Sequence, residues 1–474
     1  MDKKHVFIDW YEVDPAYGVD APGYRPKDGS PYGVKIKVHK PILDETPLLT
    51  PDLNNAWENP RVGAFATIIK IKDTYHMWYE ALAIPWTLTY CYATSKDGIH
   101  WEKPNLGLCE YNGSKNNNII RIDSTPDHCD EGEAIIYQED APENERFKMV
   151  FTRVQYDNGK VVEVAQHGAI SADGIHWEEI GKLFIGGDCQ ASFIYDTKRK
   201  KYVVMSKSQD PSHLIRRTMI YTESDDFRHF TEPRLIFNGD PTDPPDVDYY
   251  DMALHAWKGT DDAFVYFPAA FHRTNDIVDT IFACSRDFYT INRPLGFEPL
   301  FKKDTAPDIY TVQGMTEEDG KWYHYCCLMP TGHNEGAVLK GEKKYAGFRR
   351  FYYREDGYTS LNAESHGGIT TIPLQFGTGL KINAKIQTYG KIQIAVTDDW
   401  ENKPLEGFSF EDCKLTPIDA NSYAVEWSKP LSSLDLKTRY RLKMKLFKCD
   451  LYSYTFTGCP DEETEADSQA QYRV

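Results

Sequence analysis

The sequence lacks the cysteine patterns that indicate a disulfide framework or a zinc site. Its ten cysteines are dispersed, no CxxC pair occurs, and the adjacent residues Cys326 and Cys327 cannot easily bridge each other. HExxH, GxSxG and GxGxxG are absent as well, so the signatures of zinc proteases, serine hydrolases and dinucleotide-binding enzymes are missing. We therefore expect buried free thiols in a reducing compartment.

The sequence also lacks long apolar runs and clusters of positive charge. No run approaches the length of a membrane span, and the charged residues at the start are not followed by the hydrophobic stretch of a leader peptide. The formal net charge is −18, and the longest run of lysines and arginines is residues 198–201. We expect a cytoplasmic protein, unless a leader was trimmed, with neither nucleic acid nor membrane as a partner. The oligomeric state is not indicated.

What the sequence does contain is a repeated octapeptide. Residues 95–102 return almost unchanged as residues 171–178, and more divergent copies occupy residues 224–230, 285–289 and 354–360. Five copies spaced by roughly 55–75 residues are typical of a repeat architecture. Their serine, aspartate and glycine suit a hairpin corner, because the polar side chains bond backbone N–H groups and glycine adopts positive φ. We interpret the motif as structural, and it counts the repeats.

Short strands between these copies predict an all-β protein. Alternating and continuous apolar runs give four strands per repeat, and five repeats predict a five-bladed β-propeller. After residue 365 the strands alternate cleanly, which predicts a small antiparallel β-sandwich. The expected divisions are an N-terminal segment (residues 1–55), the propeller (56–365), the sandwich (366–458) and a disordered tail (459–474). Within the first segment, residues 5–13 are expected to complete the last blade, because an unpaired sheet edge is a liability.

Acidic residues recur just before the predicted innermost strand of every repeat. The innermost strands of a propeller converge on an axis, so side chains that are distant in the sequence meet there. A ring of carboxylates costs stability, but it suits cleavage of a glycosidic bond, in which one carboxylic acid protonates the leaving oxygen and one carboxylate acts as base or nucleophile. Turn capping or metal binding is the alternative role for some of them. These acids are Glu58, Asp130, Glu131, Glu133, Asp188, Asp248, Asp251 and Asp308.

Aromatic and polar residues flank the acids and suit a carbohydrate ligand. Sugar rings stack on aromatic faces while polar side chains bond the hydroxyl groups, although each aromatic taken alone is better explained by packing. His333 lies in a glycine-bounded loop and is either a sugar contact, a metal ligand or a solvated loop residue. The candidate substrate-binding residues are Trp57, Arg61, Glu133, Gln190, Asp251, Asp308, Tyr310 and His333, with Trp86, Tyr249 and Tyr250 as further aromatics.

Several stretches resemble the five-bladed propeller glycosidases, the superfamily of the family 32 and family 43 glycosyl hydrolases. The similarity rests on the acids, the five repeats and residues 92–104, 113–119 and 349–361, and is closest to the bacterial "glycosyl hydrolase family 32 N-terminal-like" proteins. It covers nearly the whole chain and is specific for the fold rather than the substrate. It implies a base or nucleophile at the start of blade one, an orienting acid in blade two and a proton donor in blade three.

On this sequence the resemblance assigns the base or nucleophile to Glu58, the orienting acid to Glu131 or Asp130, and the proton donor to Asp188. The invertase-like Trp-x-Asn-Asp-Pro, Arg-Asp-Pro and Glu-Cys signatures are absent, and Glu58 and Asp188 replace the usual aspartate and glutamate. We predict a glycoside hydrolase acting on a furanoside or related oligosaccharide, with Glu58, Asp188 and Glu131 as its catalytic residues. No cofactor is expected, although a structural divalent cation at the axis is compatible with the acids.

Three alternatives stay open at this point. A phosphorylase on the same scaffold would need a cationic phosphate subsite, which Arg61, Arg153, Arg216 and Arg217 could supply. A sugar-binding module would bind its ligand without turnover. A metal-dependent deacetylase would use histidine and aspartate at the axis.

Overall fold

The computed structural model describes most of the chain and consists mainly of β-strands. The described residues are 1–15, 31–83, 87–187, 189–208, 216–302, 305–333, 347–398 and 403–460. Short 3₁₀ turns occur at Glu143–Glu145 and Leu431–Ser433. Within this described part, no helix has the length and apolarity needed to cross a membrane.

The strands are numbered in chain order. They are Lys3–Val6 (β1), Lys35–Val38 (β2), Ile42–Leu43 (β3), Pro60–Ile71 (β4), Thr74–Ala83 (β5), Thr87–Ser95 (β6), Trp101–Glu102 (β7), Ile119–Ile122 (β8), His128–Tyr137 (β9), Phe147–Asp157 (β10), Lys160–Ser171 (β11), Glu178–Ile185 (β12), Ser192–Asp196 (β13), Lys201–Lys207 (β14), Met219–Ser224 (β15), Arg234–Phe237 (β16), Val247–Ala256 (β17), Phe264–His272 (β18), Ile277–Thr280 (β19), Ala283–Ser285 (β20), Asp308–Glu318 (β21), Lys321–Met329 (β22), Gly347–Arg354 (β23), Thr359–Thr370 (β24), Leu374–Gln375 (β25), Gly379–Thr397 (β26), Lys414–Pro417 (β27), Ser422–Glu426 (β28) and Arg439–Thr457 (β29).

Residues 40–257 and 261–354 form one compact unit, the propeller unit. Its strands form five antiparallel blades: β4–β8, β9–β12, β13–β16, β17–β20, and β21–β23 together with β3; single parallel pairs also join β19 to β21 and β21 to β4. The innermost strands β4, β9, β13, β17 and β21 contact one another in that order, and β21 also contacts β4, so the ring is closed. The predicted five-bladed propeller is confirmed by this arrangement of strands.

The outer strand of blade five comes from the N-terminal segment. Ile42 pairs with Tyr352 and Leu43 with Phe351. The outer place in blade five is open to this strand because the chain leaves the blade after Arg354 without forming a fourth strand there. The prediction that residues 5–13 fill this place is wrong. The strand found there, β1, pairs with β29 in the second unit.

The repeated octapeptide forms the turn that follows the third strand of a blade. In blade one the Gly98 N–H donates to Ser95 Oγ (2.9 Å), and the N–H groups of Ile99 and His100 donate to Asp97 Oδ1 (2.9 and 2.8 Å). Equivalent aspartate-centred turns are built on Ser171 and Asp173, Ser224 and Asp226, and Ser285 and Asp287. The motif is therefore structural in four blades.

The fifth copy of the octapeptide has a different role. Its Asp356 is buried and accepts hydrogen bonds from Lys4 Nζ (2.8 Å) and Ser453 Oγ (2.6 Å) within the second unit. This copy marks the point at which the chain passes from β23 to β24, which explains its divergent sequence.

Two buried glutamine amides cross the centre of the propeller. Gln313 Nε2 donates to the carbonyl oxygens of Ile135 (3.1 Å) and Phe193 (2.5 Å), although blade five is not adjacent to blades two and three. Gln190 Nε2 donates in the same way to carbonyl oxygens of blades one and two (2.9 and 2.6 Å). A cavity of about 500 Å³ lies where the inner strands end, lined by residues from all five blades. The candidate site lies at the opposite end, where the inner strands begin.

The second unit, residues 1–39, 258–260 and 355–474, is one bent antiparallel sheet of eight strands. The strand order is β2–β24–β29–β26–β28–β27, with β1 and β25 also paired to β29. Register shifts at Asn383/Ala384 and Ile386/Lys391 bend the 19-residue strand β26 so that the sheet surrounds one apolar core. The predicted sandwich thus consists of a single sheet, and it includes β24, which begins before the expected boundary at residue 366. Residues 461–474 of the predicted tail lie outside the described part.

Candidate active site

The candidate site lies at bulges in three of the inner strands. The register shifts in β4 between Val62 and Ala66, in β9 opposite Val150 and Thr152, and in β17 between Tyr249 and Met252. A β-bulge re-aims the side chains at and beside it. The residues at or beside these three bulges include Arg61, Glu131, Glu133, Tyr250 and Asp251.

Glu80 and Gly132 join blades one and two. The buried Glu80 accepts a hydrogen bond at Oε1 from the Gly132 N–H (2.5 Å). Gly132 has a φ of +72°, and an added Cβ would lie 2.4 Å from the backbone nitrogen of Gln190, so glycine is required here. Burial, together with the charges of Glu133 and Glu131, raises the pKa of Glu80 well above its usual range. The shift favours the protonated form of Glu80.

Glu131 is the acid of blade two that remains partly exposed. Burial raises the pKa of Glu131 to about 7; Lys207 opposes this rise, whereas Glu133 and Asp130 add to it. A carboxyl group that is half protonated near neutral pH and open to solvent can donate a proton to a ligand.

The other two acids of blade two are fully buried. Asp130 accepts a hydrogen bond from Arg121. It also accepts two from Arg153, one from Nε (2.8 Å) and one from Nη2 (2.7 Å). Glu133 faces Asp123, and burial together with the charge of Glu133 raises the pKa of Asp123 well above its usual range. The shift favours the protonated form of Asp123, although the Arg121 guanidinium, 2.8 Å away, opposes it. This enclosure does not favour the predicted contact between Glu133 and a substrate.

The residues predicted at the start of blade three add little to the site within the described part of the chain. Asp188, the predicted proton donor, lies outside them. Both amide hydrogens of Gln190 are bonded to backbone carbonyls, which favours a structural role over the predicted substrate contact. Cys189 is buried and donates from Sγ to the carbonyl oxygen of Tyr250 (3.0 Å).

A buried lysine, Lys207, lies beside blade four. Its Nζ is 4.5 Å from the ring centroid of Tyr250. Burial lowers the pKa of Lys207 to about 7; the charge of Arg217 lowers it further, whereas Glu131 and Asp251 act against this. Burial raises the pKa of Asp251 to about 8, although Lys207 opposes it. Glu131 and Asp251 thus come from different blades and share Lys207 as a neighbour.

Tyr310 and His333 of blade five join the same cluster. The Tyr310 hydroxyl lies 2.5 Å from His333 Nδ1, and the His333 ring packs edge-on against Tyr250, with 4.5 Å between ring centroids. Burial lowers the pKa of His333 to about 4, so this histidine is neutral. Asp308 is buried and accepts from the Val278 N–H (2.9 Å), which links blades four and five and favours a structural role.

Glu58, the predicted base or nucleophile, is bonded to protein groups rather than open to a ligand. Its fully buried carboxylate accepts hydrogen bonds from the Tyr79 hydroxyl (2.6 Å) and a backbone N–H (2.9 Å), and pairs with Lys103 (2.6 Å). The indole of the adjacent Trp57 donates to Asn118 Oδ1 (3.1 Å). These bonds use the acceptor positions of the carboxylate, and they favour a structural role for both residues.

Two of the four arginines considered for a phosphate subsite reach the cluster. The Arg217 guanidinium lies 4.8 Å from the ring centroid of Tyr250, and the charge of Arg61 acts on Tyr250 and Tyr310. Arg153 is engaged by Asp130 and Glu179, and Arg216 donates to the backbone carbonyls of residues 245 and 247.

Glu80 and Lys207 were not predicted from the sequence as site residues. Each is a charged residue near the end of an otherwise apolar strand, in the runs Trp78–Leu82 and Val203–Lys207. A charge in such a run was the available signal. Within the described ranges, no group of three or more histidine, cysteine, aspartate or glutamate side chains is arranged to hold a metal ion.

Comparison with known proteins finds similarity among solved structures alone. No family model and no curated protein matches the sequence. An N-acetylgalactosamine deacetylase from F. plautii is 14% identical, with 67% of this chain and 94% of that chain covered and a TM-score of 0.46. A GH32 β-fructofuranosidase from Bombyx mori is 12% identical (89% and 93% covered, TM-score 0.45), and a fructofuranosidase from Schwanniomyces occidentalis is 11% identical (86% and 96%, 0.45). The fold assignment rests on the strand pairing described above.

Proposed function

We propose that this protein is a glycoside hydrolase whose reacting carboxyl groups are those of Glu131 and Asp251. The observation that carries the proposal is their shared neighbour, Lys207, beside the ring of Tyr250 at the start of the inner strands. The closed five-bladed ring and the resemblance noted in the sequence support the same reaction class. The substrate we propose is a furanoside-type or related oligosaccharide.

Glycosidic bond cleavage needs one carboxylic acid and one carboxylate. Asp251, with a pKa of about 8 and no hydrogen-bond partner at Oδ1 in the described part of the chain, suits the donor that protonates the leaving oxygen. Glu131 suits the second role, because its pKa is lower, at about 7, Lys207 favours its carboxylate, and it is partly exposed. As the bond to the leaving oxygen breaks, Glu131 either takes a proton from a water that attacks the anomeric carbon or attacks that carbon itself, and in the second case water then hydrolyses the glycosyl ester. The partly exposed Tyr250 offers an aromatic ring for a sugar, and the buried Tyr310 packs edge-on against it, with 6.1 Å between ring centroids.

The test is turnover of a panel of aryl furanosides and pyranosides by the full chain and its variants. Glu131→Gln and Asp251→Asn are each expected to lower kcat by about 100-fold or more while the protein stays folded. Glu178→Gln, at an exposed acid of the blade-two edge, is the matched control and is expected to leave kcat unchanged. Full turnover in both Glu131→Gln and Asp251→Asn would contradict the proposal. Loss confined to Asp188→Asn and Glu58→Gln would restore the assignment made from the sequence.

A phosphorylase is the second candidate, and the position of Arg61 and Arg217 in the cluster favours it. Turnover that requires added inorganic phosphate would identify it. Turnover in phosphate-free buffer would exclude it.

A further inference from the structure

Two cations lie against one aromatic ring in the candidate active site, and the charge of a third acts on the same ring. The guanidinium of Arg217 lies 4.8 Å from the ring centroid of Tyr250 and 5.0 Å from that of Phe271, and Lys207 Nζ lies 4.5 Å from the Tyr250 centroid. Arg61 is the third, because its charge acts on Tyr250. All three add to the effect of burial in lowering the pKa of His333, whose ring contacts Tyr250. The positive charges therefore converge on one small volume.

Two of these cations carry buried donors that have no hydrogen-bond partner in the described part of the chain. They are Nε of Arg61 and Nη1 of Arg217. A buried charged donor without a partner costs more than a neutral one, and burial lowers the pKa of Arg61. These donors lack a group that would accept their hydrogen bonds and balance their charge.

The acids of the described cluster are poorly suited to accept these hydrogen bonds and to balance the guanidinium charges. Glu80 accepts from the Gly132 N–H, and its pKa is raised well above the usual range. Asp251 and Glu131, with pKa values of about 8 and about 7, are largely or half protonated near neutral pH. None of these carboxyl groups accepts a hydrogen bond from the two unpartnered guanidinium donors, so Arg61 and Arg217 present positive charge toward any ligand that enters.

We propose that Arg61 and Arg217 bind an oxyanion, and that this oxyanion is an acidic group carried by the sugar substrate, a uronate carboxylate in the first place. The assignment rests on the proposed glycosidase function. The planar guanidinium fork matches the two oxygens of a carboxylate. Tyr250, Phe271 and His333 place ring faces and edges directly beside the cations, which suits a sugar ring that bears the charge better than a small free anion.

The experiment is calorimetric titration of the full chain with glucuronate and galacturonate, with glucose and galactose as neutral counterparts, and with inorganic phosphate. The uronates are expected to bind and the neutral sugars are not. Arg61→Gln and Arg217→Gln are each expected to weaken uronate binding by about 10- to 100-fold, since each removes a charge-assisted hydrogen bond. Arg234→Gln, at an exposed position on β16, is the charge-matched control and is expected to bind as the wild type does.

One further variant keeps the result decisive. Arg217→Lys retains the charge but not the fork, so it is expected to weaken binding even if Arg217→Gln fails to fold. Uronate binding without hydrolysis of any glycoside would leave the oxyanion site standing while the hydrolase proposal fails.

Three outcomes would overturn the inference. Binding of phosphate without binding of uronates would assign the cations to a phosphate co-substrate instead of an acidic sugar. Absence of binding by every anion would remove the site altogether. Uronate binding that Arg61→Gln, Arg217→Gln and Arg217→Lys all leave unchanged would place the anion elsewhere.

Discussion

Glu58 and Lys103 form an ion pair in blade one, with 2.6 Å between Glu58 Oε2 and Lys103 Nζ. The glutamate side chain is fully buried and that of the lysine is 22% exposed, so the pair holds the segment that precedes β4 against the region that follows β7. Glu58 met the sequence criterion for a catalytic acid, since it precedes an inner strand. Its surroundings make it part of the framework of the blade.

Lys103→Met is expected to lower the free energy of unfolding by roughly 3 kcal/mol, because it leaves the Glu58 carboxylate buried without its counter-ion. Urea unfolding followed by circular dichroism measures this change. The double variant Glu58→Gln/Lys103→Met is expected to regain part of the loss, and Lys115→Met, at an exposed lysine, is the control. If Glu58→Gln abolished turnover at unchanged stability, Glu58 would be a catalytic residue after all.

The stability of the protein is expected to fall as the pH rises from about 5 to about 7. The folded-state pKa values of Glu131 (about 7) and Asp251 (about 8) are raised above their unfolded values near 4, so the stability these groups contribute is fully present below about pH 4 and is lost as the pH rises through the folded values. Each group contributes a slope of at most about 1.4 kcal/mol per pH unit.

The Asp251→Asn variant measures how much of this pH dependence of the free energy of unfolding comes from Asp251. Lys207, whose folded pKa is about 7, is charged in both states through most of this range and adds little to the difference. Urea unfolding at three pH values is therefore expected to give a shallower dependence for Asp251→Asn than for the wild type. Identical slopes would show that Asp251 is ionised in the folded protein.

Gly132→Ala is expected to lower the free energy of unfolding by roughly 3 kcal/mol and to abolish turnover. The positive φ is strained for alanine, and the new Cβ would lie 2.4 Å from the backbone nitrogen of Gln190, which displaces the N–H that Glu80 binds. Gly159→Ala is the matched control: its φ is +74°, but no atom lies within 4 Å of the added Cβ. Its expected loss is about 1 kcal/mol, from strain alone. Equal losses in thermal unfolding of the two variants would contradict the role assigned to the bulge.

Most of the fold could be predicted from short sequence patterns. The aspartate of each of the first four octapeptides accepts hydrogen bonds from the N–H groups two and three residues ahead, as Asp97 does from Ile99 and His100, so the turn is encoded within a few residues. The apolar runs between the turns gave the strands and hence the number of blades. The partner of the last blade could not be found in this way, because Ile42–Leu43 is a short strand that pairs with residues about three hundred positions away.

The candidate site was predicted less completely, and Glu58 and Glu131 show why. Both precede or open an inner strand, but Glu131 lies at a bulge beside the cluster whereas Glu58 lies before Pro60 and pairs with Lys103. A bulge of one or two residues changes where a side chain points, and alternation along the strand does not reveal it. Lys207 was missed because its signal is a single charge at the end of an apolar strand, and a single charge is more often solvent-exposed.

The sequence alone determined the all-β class, the five repeated units and their turns, because these depend on hydrogen bonds and apolar alternation between near neighbours. The tertiary structure alone decided which charges meet. Glu131, Lys207 and Asp251 come from three blades, and the water excluded around them sets their pKa values. Desolvation depends on everything that packs around a group, and no stretch of residues encodes that by itself.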